Sequence, residues 1–197
     1  MCGGGNKAVH PGEISLAHGG VLFLDELPEY KRSTLEALRQ PLEDGVITIA
    51  RSAGVVTYPA RFMLCASMNP CPCGNYGSAE LTCTCSPADI RRYRARVSGP
   101  LLDRIDLQVE VDSIGYDELT STKQAENSAS VKERVDGARG VQRERFRNSA
   151  VSTNAEMGER EIGIFCGLSK EGDEILREAF HKMHLSARAR ARIVKVA

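Results

Sequence analysis

The chain has 197 residues, 26 basic and 26 acidic side chains, a formal net charge of zero and 42% apolar residues. That length suits one domain, or one domain and a fraction of a second, and the charge balance excludes a protein held to nucleic acid or membrane by bulk charge alone. No apolar stretch is long enough to span a bilayer and no secretory leader opens the sequence, so a soluble cytoplasmic protein is the expectation.

Residues 1–12 are Gly-rich and begin as a loop, and Glu13 to His18 reads as a short helical turn before Gly19-Gly20. Next comes Val21-Leu22-Phe23-Leu24-Asp25-Glu26. Four apolar residues running into two adjacent carboxylates predict a central parallel strand whose C-terminal end delivers acids to a ligand site. In P-loop NTPases this pattern is the Walker B element, in which the first acid helps hold Mg²⁺ and the second polarises the attacking water. The partner motif, G-x-x-x-x-G-K-[ST], occurs nowhere in the chain. The expectation is therefore the downstream part of an ATPase, as a truncated reading frame or an expressed fragment.

Pro28 precedes a predicted helix from Ser33 to Leu42, with Leu35, Leu38 and Leu42 on one face and Ser33 as its cap. Asp44-Gly45 then opens two β-branched runs, Val46–Ala50 and Val55–Tyr58, around the tip Arg51-Ser52-Ala53-Gly54. Such a pair predicts a hairpin. Phe62–Ala66 predicts a second buried strand, beside the first, ending at Ser67-Met68-Asn69-Pro70. A Cys-rich loop over 70–87 leads to a basic helix, Pro87–Val97, and Leu107–Val111 alternates as a third strand. From Ser113 to Ser130 the composition turns polar and reads as a linker. The remainder is helical in pattern: Val131–Phe146, Glu156–Cys166, Lys170–Met183 and Ala187–Val196, with Ser169 and Ser186 as caps of the last two. Strands followed by helices predict an α/β core feeding an all-α C-terminal subdomain.

Of seven cysteines, Cys2, Cys65 and Cys166 are scattered, whereas Cys71, Cys73, Cys83 and Cys85 form a CxC, nine residues, then a second CxC. Four thiolates in a short loop are the ligand set of a tetrahedral structural zinc site. The plainer alternative is a reduced loop with exposed thiols, or disulfides formed on purification; without a secretory leader a disulfide scaffold is disfavoured. His18 reads as a packing or capping residue, and His181 and His184 lack a third ligand nearby. The cluster Arg91, Arg92, Arg94, Arg96 and Arg104 has the side chain that grips phosphates and carboxylates. A solvated face is the plainer reading for such a run.

The segments PGEISLAHGGVLFLDELPEY (11–30), LEALRQPLEDGVITIAR (35–51), YPARFMLCASMNPCPCGNYG (58–77), YRARVSGPLLDRIDLQVEV (93–111) and LSARARARIVKVA (185–197) resemble the ComM/YifB proteins, magnesium-chelatase-like AAA+ ATPases of bacteria. The resemblance implies an AAA+ fold and a self-associated ring, expected to be a hexamer, with ATP between neighbouring subunits. It implies that Asp25 holds Mg²⁺ and that Glu26 orients and deprotonates the lytic water. Asn69 matches sensor 1, near the γ-phosphate, and Arg104, within Gly99-Pro100-Leu101-Leu102-Asp103-Arg104, matches a finger supplied in trans. Arg188 matches sensor 2, with Arg190 and Arg192 as alternatives if the register differs. The hairpin at 46–58 matches the pre-sensor-1 hairpin, so Arg51 near its tip would touch a DNA phosphate in the ring's channel.

Each assignment has a plain counterpart. Asp25-Glu26 suits an acidic helix entry, Asn69 a turn before Pro, Arg104 a surface salt bridge to Asp103 or Asp106, and Arg188 and Arg51 solvent-exposed cations. By the resemblance, residues 1–112 form the Walker B to arginine-finger part of the core, 113–130 a linker and 131–197 a lid that stops inside a family motif. The family's N-terminal domain, first strand and P-loop are absent from the sequence, so ATP hydrolysis by the chain alone is not expected. The function implied is DNA branch migration in recombination and natural transformation. Two alternatives are the ATPase subunit of a magnesium chelatase and a non-enzymatic, zinc-stabilised DNA-binding or assembly module.

Overall fold

The computed structural model describes residues 1–4, 10–51, 54–78, 80–111, 116, 120 and 125–197, with Gly4 and Arg51 described by backbone alone. The chain divides into two compact units, Met1–Ser113 and Ile114–Ala197. The linker expected over 113–130 lies largely outside the described residues.

In the first unit a short antiparallel contact joins β1 (Gly3–Gly4) to β2 (His10–Pro11). Helix α1 (Glu13–Leu16) follows, then β3 (Val21–Leu24). β3 pairs in parallel with β6 (Met63–Ala66), with Val21 opposite Met63 and Leu24 opposite Ala66. Parallel neighbours need a long crossover. Here it is built from α2 (Arg32–Glu36), α3 (Arg39–Asp44) and the hairpin β4 (Val46–Arg51) and β5 (Gly54–Pro59).

Leu22 and Leu24 alternate inward and join Ile14, Leu27, Leu35, Leu38, Ile47, Ala60, Val97 and Leu101 in one apolar cluster. The other face of β3 and β6 stays open to solvent: Val21, Phe23 and Met63 are 56%, 59% and 63% exposed. β6 is therefore not the buried strand expected over Phe62–Ala66. A parallel sheet is buried on both faces only when both are covered, and the described residues cover one.

The single helix expected from Ser33 to Leu42 is broken in two. Pro41 lacks an N–H and its ring crowds the carbonyl four residues back, at Ala37, where α2 ends. α3 stops at Gly45, whose backbone is left-handed (φ 67°) and donates to the Pro41 carbonyl at 3.0 Å. A Cβ there would lie 2.8 Å from Arg61 Cγ, so conformation and space both require glycine. The hairpin forms as expected, each strand reaching one residue further into the tip, with Arg51 opposite Gly54.

α4 (Pro87–Arg94) starts at Ser86, whose hydroxyl accepts from the Asp89 N–H at 3.2 Å, and α5 (Gly99–Leu102) follows. Leu107–Val111 does not form the expected third strand: Leu107, Val109 and Val111 are 69%, 81% and 85% exposed. The alternation is right, but a strand needs a partner, and none of the described residues supplies one.

The second unit is helical: α6 (Ser128–Arg145), α7 (Glu159–Phe165), α8 (Lys170–Lys182) and α9 (Ala187–Val196), with a 3₁₀ turn at Asn154–Glu156. Ser169 and Ser186 cap α8 and α9 by accepting from Gly172 and Ala189 N–H groups at 3.0 and 3.1 Å. Asn127 does the same for α6. α6 itself buries no side chain, and the unit gathers instead around Phe146, Met157, Leu176 and Val194. Phe146 meets Phe165 edge-on at 5.1 Å. Among the described residues no helix is long and apolar enough to cross a membrane.

Candidate active site and thiolate cluster

Asp25 is the first residue past β3 and Ser67 the first past β6, so the parallel register brings both to one end of the strand pair. The backbone locks them there: Ser67 N–H donates to the Leu24 carbonyl at 3.0 Å, and Leu27 N–H to the Ser67 carbonyl at 2.8 Å. The Ser67 hydroxyl donates to Asp25 Oδ1 and accepts from the Glu26 N–H at 3.1 Å. The same N–H approaches Asp25 Oδ1 at 3.1 Å. Glu26 takes a left-handed backbone (φ 51°, ψ 52°), a conformation a side chain with Cβ adopts only at a cost. Both carboxylates are exposed. Exposed carboxylate oxygens are the donors a hard, water-keeping cation such as Mg²⁺ accepts, so Asp25 fits that ion.

Asn69, also exposed, lies two residues beyond Ser67. Its loop is braced from α4. Tyr93 is buried, which raises its phenol above the ordinary value with help from the Glu29 charge, while the backbone N–H of Asn69 pulls it back. Arg94 Nε donates to the Pro70 carbonyl at 3.1 Å and its guanidinium lies 5.0 Å from the Tyr76 ring centre. Beyond the helix, Arg96 donates to Glu29 Oε1 at 2.8 Å and to the Pro28 carbonyl at 3.4 Å. Arg92 pairs with Asp89. Much of the basic cluster is thus engaged inside its own unit. His18 has the capping role expected of it, accepting the Arg61 N–H on Nδ1 at 3.1 Å.

Arg104 follows α5 and is buried, with its guanidinium donating to the Pro100 carbonyl and to Glu43 Oε2. The contact with Glu43 was not foreseen among the neighbours Asp103 and Asp106, because the partner lies 61 residues away. Arg51 ends β4, and its side chain lies outside the described residues. Arg188 is exposed in the first turn of α9, in the second unit, as is Arg190; Arg192 is half-buried on the same helix. The structure thus draws together Asp25, Glu26, Ser67, Asn69, Tyr93 and Arg94. Ser67 was readable in principle, since two apolar strands paired in parallel must end side by side.

Cys71, Cys73, Cys83 and Cys85 converge so that all four Sγ atoms lie within 4.8 Å of one another. Three separations are 3.4, 3.6 and 3.7 Å. Zinc bonds of about 2.3 Å in a tetrahedron set sulfurs about 3.8 Å apart, so the donor type, number and spacing fit that ion. Backbone N–H groups of Asn75 and Thr84 lower the Cys73 thiol to about 5, the form a metal needs. Burial, with the neighbouring thiols of Cys73 and Cys71, pushes Cys85 up to about 12.

Residues 1–119 match the family model "Magnesium chelatase, subunit ChlI", and residues 125–197 match "Magnesium chelatase, subunit ChlI C-terminal". Competence protein ComM of Haemophilus influenzae is 47% identical over 195 residues, 98% of this chain. YifB of Escherichia coli is 46% identical over the same share. The chain spans 37% of the length of each. The magnesium-chelatase subunit ChlI of Euglena gracilis is 33% identical over 66 residues, 34% of this chain and 19% of that protein. With relatives aligned along almost its whole length and family models on both units, this chain belongs to the magnesium-chelatase-like family of the ComM/YifB type.

Proposed function

We propose that this chain supplies the metal-and-water side of the nucleotide site in an AAA+ ATPase that drives branch migration of DNA in recombination and natural transformation. The observation that carries the reading is the shared end of β3 and β6, where Asp25, Glu26 and the Ser67–Asn69 turn meet. Kinship with a competence protein along 98% of the chain supports the DNA branch of the family over the chelatase branch, where identity extends over 34% of it.

In this reading Mg²⁺, when bound, would supply neutralisation of phosphate charge. Asp25 binds that ion, oriented by the Ser67 hydroxyl. Glu26, on a left-handed backbone, accepts the proton of the attacking water. Asn69 offers its amide toward the γ-phosphate. Arg104 reaches a neighbouring subunit's nucleotide after leaving Glu43, and Arg188 serves as the lid cation. The subunits form a hexameric ring in the cytoplasm, with Arg51 on the hairpin tip against a DNA phosphate. The Cys cluster holds one structural zinc ion.

The test is Glu26→Gln in a full-length protein that carries this chain together with a phosphate-binding loop. ATP affinity stays within about twofold while turnover falls about 100-fold or more. Normal turnover would remove Glu26 as the base. A second reading, a zinc-stabilised DNA-binding or assembly module that needs no ATP, draws its support from the converged thiols. It requires salt-sensitive DNA binding by this chain on its own, and no binding at low salt ends it.

A further inference from the structure

We propose that the zinc-filled Cys cluster is a positioning clamp for Asn69, setting the end of β6 against α4 and the turn that follows Glu26. The inference rests on the zinc reading above and adds a task for the ion.

The path of the chain closes on itself at this point. Asn69 is followed by Pro70 and then by buried Cys71, so a stiff two-residue link joins the amide to the cluster. On the far side Cys85 directly precedes Ser86, the cap of α4. α4 then returns to its starting point, burying Tyr93 and placing Arg94 on the Pro70 carbonyl at 3.1 Å. The last side chain of this stretch, Arg96, holds Pro28 and Glu29 just beyond the acid pair. One ion at the cluster therefore fastens both ends of a ring whose closing contacts lie on Pro70, next to Asn69, and on the acidic turn.

Among the described residues, the bonds of backbone N–H groups between Cys71 and Leu81 are local: Gly74 to Cys71, Ser78 to Asn75, and Glu80 and Leu81 to Ser78. Local turns of this kind do not fix where a loop sits on its unit. Four thiolates on one ion do, because each bond restrains a different point of the chain. Arg94, stacked on Tyr76 and bonded to Pro70, is the residue that carries the restraint from helix to loop.

Amide hydrogen exchange of the reduced chain, read residue by residue by NMR with and without one equivalent of Zn²⁺, tests this without nucleotide. Zinc is expected to slow exchange at Asn69 by about tenfold or more. Arg94→Ala should still bind one equivalent of zinc, measured by metal analysis, but lose most of that protection. Uptake of zinc with Asn69 exchange unchanged would overturn the clamp and leave the zinc site standing. Full protection in Arg94→Ala would overturn it as well, since the restraint would not run through α4. A folded chain that takes up no zinc would overturn the clamp and the zinc reading together. The roles of Asp25 and Glu26 are untouched by each of these outcomes.

Discussion

Arg104 is closed on Glu43. The guanidinium is nearly sealed, with 6% of the side chain exposed, while Glu43 sits at the rim with 41%. An arginine that serves a neighbouring nucleotide from this position must exchange one anion for another, so its availability depends on Glu43. Glu43→Gln should destabilise the first unit by about 1–3 kcal/mol, because it leaves a buried cation without its charge partner. The double variant with Arg104→Met should recover part of that loss. Urea unfolding of the three variants and the parent chain checks the cycle, and additive losses would mean the contact is not coupled.

Ser67 touches the Asp25 carboxylate and the Glu26 backbone N–H through one hydroxyl. Ser67→Ala should lower stability by about 0.5–1.5 kcal/mol, the usual cost of one such bond, and Ser67→Thr should retain most of it. In a full-length protein the alanine variant should lose about tenfold in ATP turnover with KM little changed, since it loosens the acids rather than the nucleotide's binding. A change in KM alone would point to a different role.

α4 has an acid-sensitive cap. The Ser86 hydroxyl, followed by the Arg92 charge and bond, holds the Asp89 carboxyl below the usual carboxylate range. A folded value below the unfolded one contributes stability that is fully present above the unfolded value and is lost as pH falls through the folded value. Below roughly pH 4, therefore, the parent chain should lose a small stabilisation that Asp89→Asn never has. Melting curves between about pH 2 and 6 should converge toward the acid end, and a constant gap would exclude Asp89 as the titrating group.

The core of the first unit should show its weight in a single truncation. Leu38 is fully buried, so Leu38→Ala should cost about 2–5 kcal/mol. Val135 on α6 is half exposed, and Val135→Ala should change stability by less than about 0.5 kcal/mol. Chemical denaturation of the two variants gives the contrast.

The elements that were legible are those whose cause is local. The hairpin follows from β-branched runs around a short tip, and Ser169 and Ser186 announce α8 and α9 because a cap is a bond to a backbone three residues on. The Asp25-Glu26 pair stands out because it directly follows an apolar strand, a local pattern. What stayed hidden depends on pairing across distance. Leu107–Val111 has the pattern of a strand but no described partner, and Arg104 found its anion 61 residues upstream. Pro41 is a local signal too: it divides α2 from α3 for a steric reason visible in the sequence. The bond from Arg94 to the Pro70 carbonyl needed the return path of α4, which the basic pattern of residues 91–96 does not reveal.

The left-handed turn at Glu26 sets heat resistance against chemistry at one codon. Glycine or asparagine would relieve a backbone cost of about 1 kcal/mol there, and neither carries the carboxylate proposed as the base. A variant library sorted for thermal survival alone should drift from Glu26 toward those residues, while one sorted for nucleotide turnover should hold the glutamate and accept the softer fold. The two selections part at this residue, so sequencing both pools would read the division of labour between folding and catalysis directly.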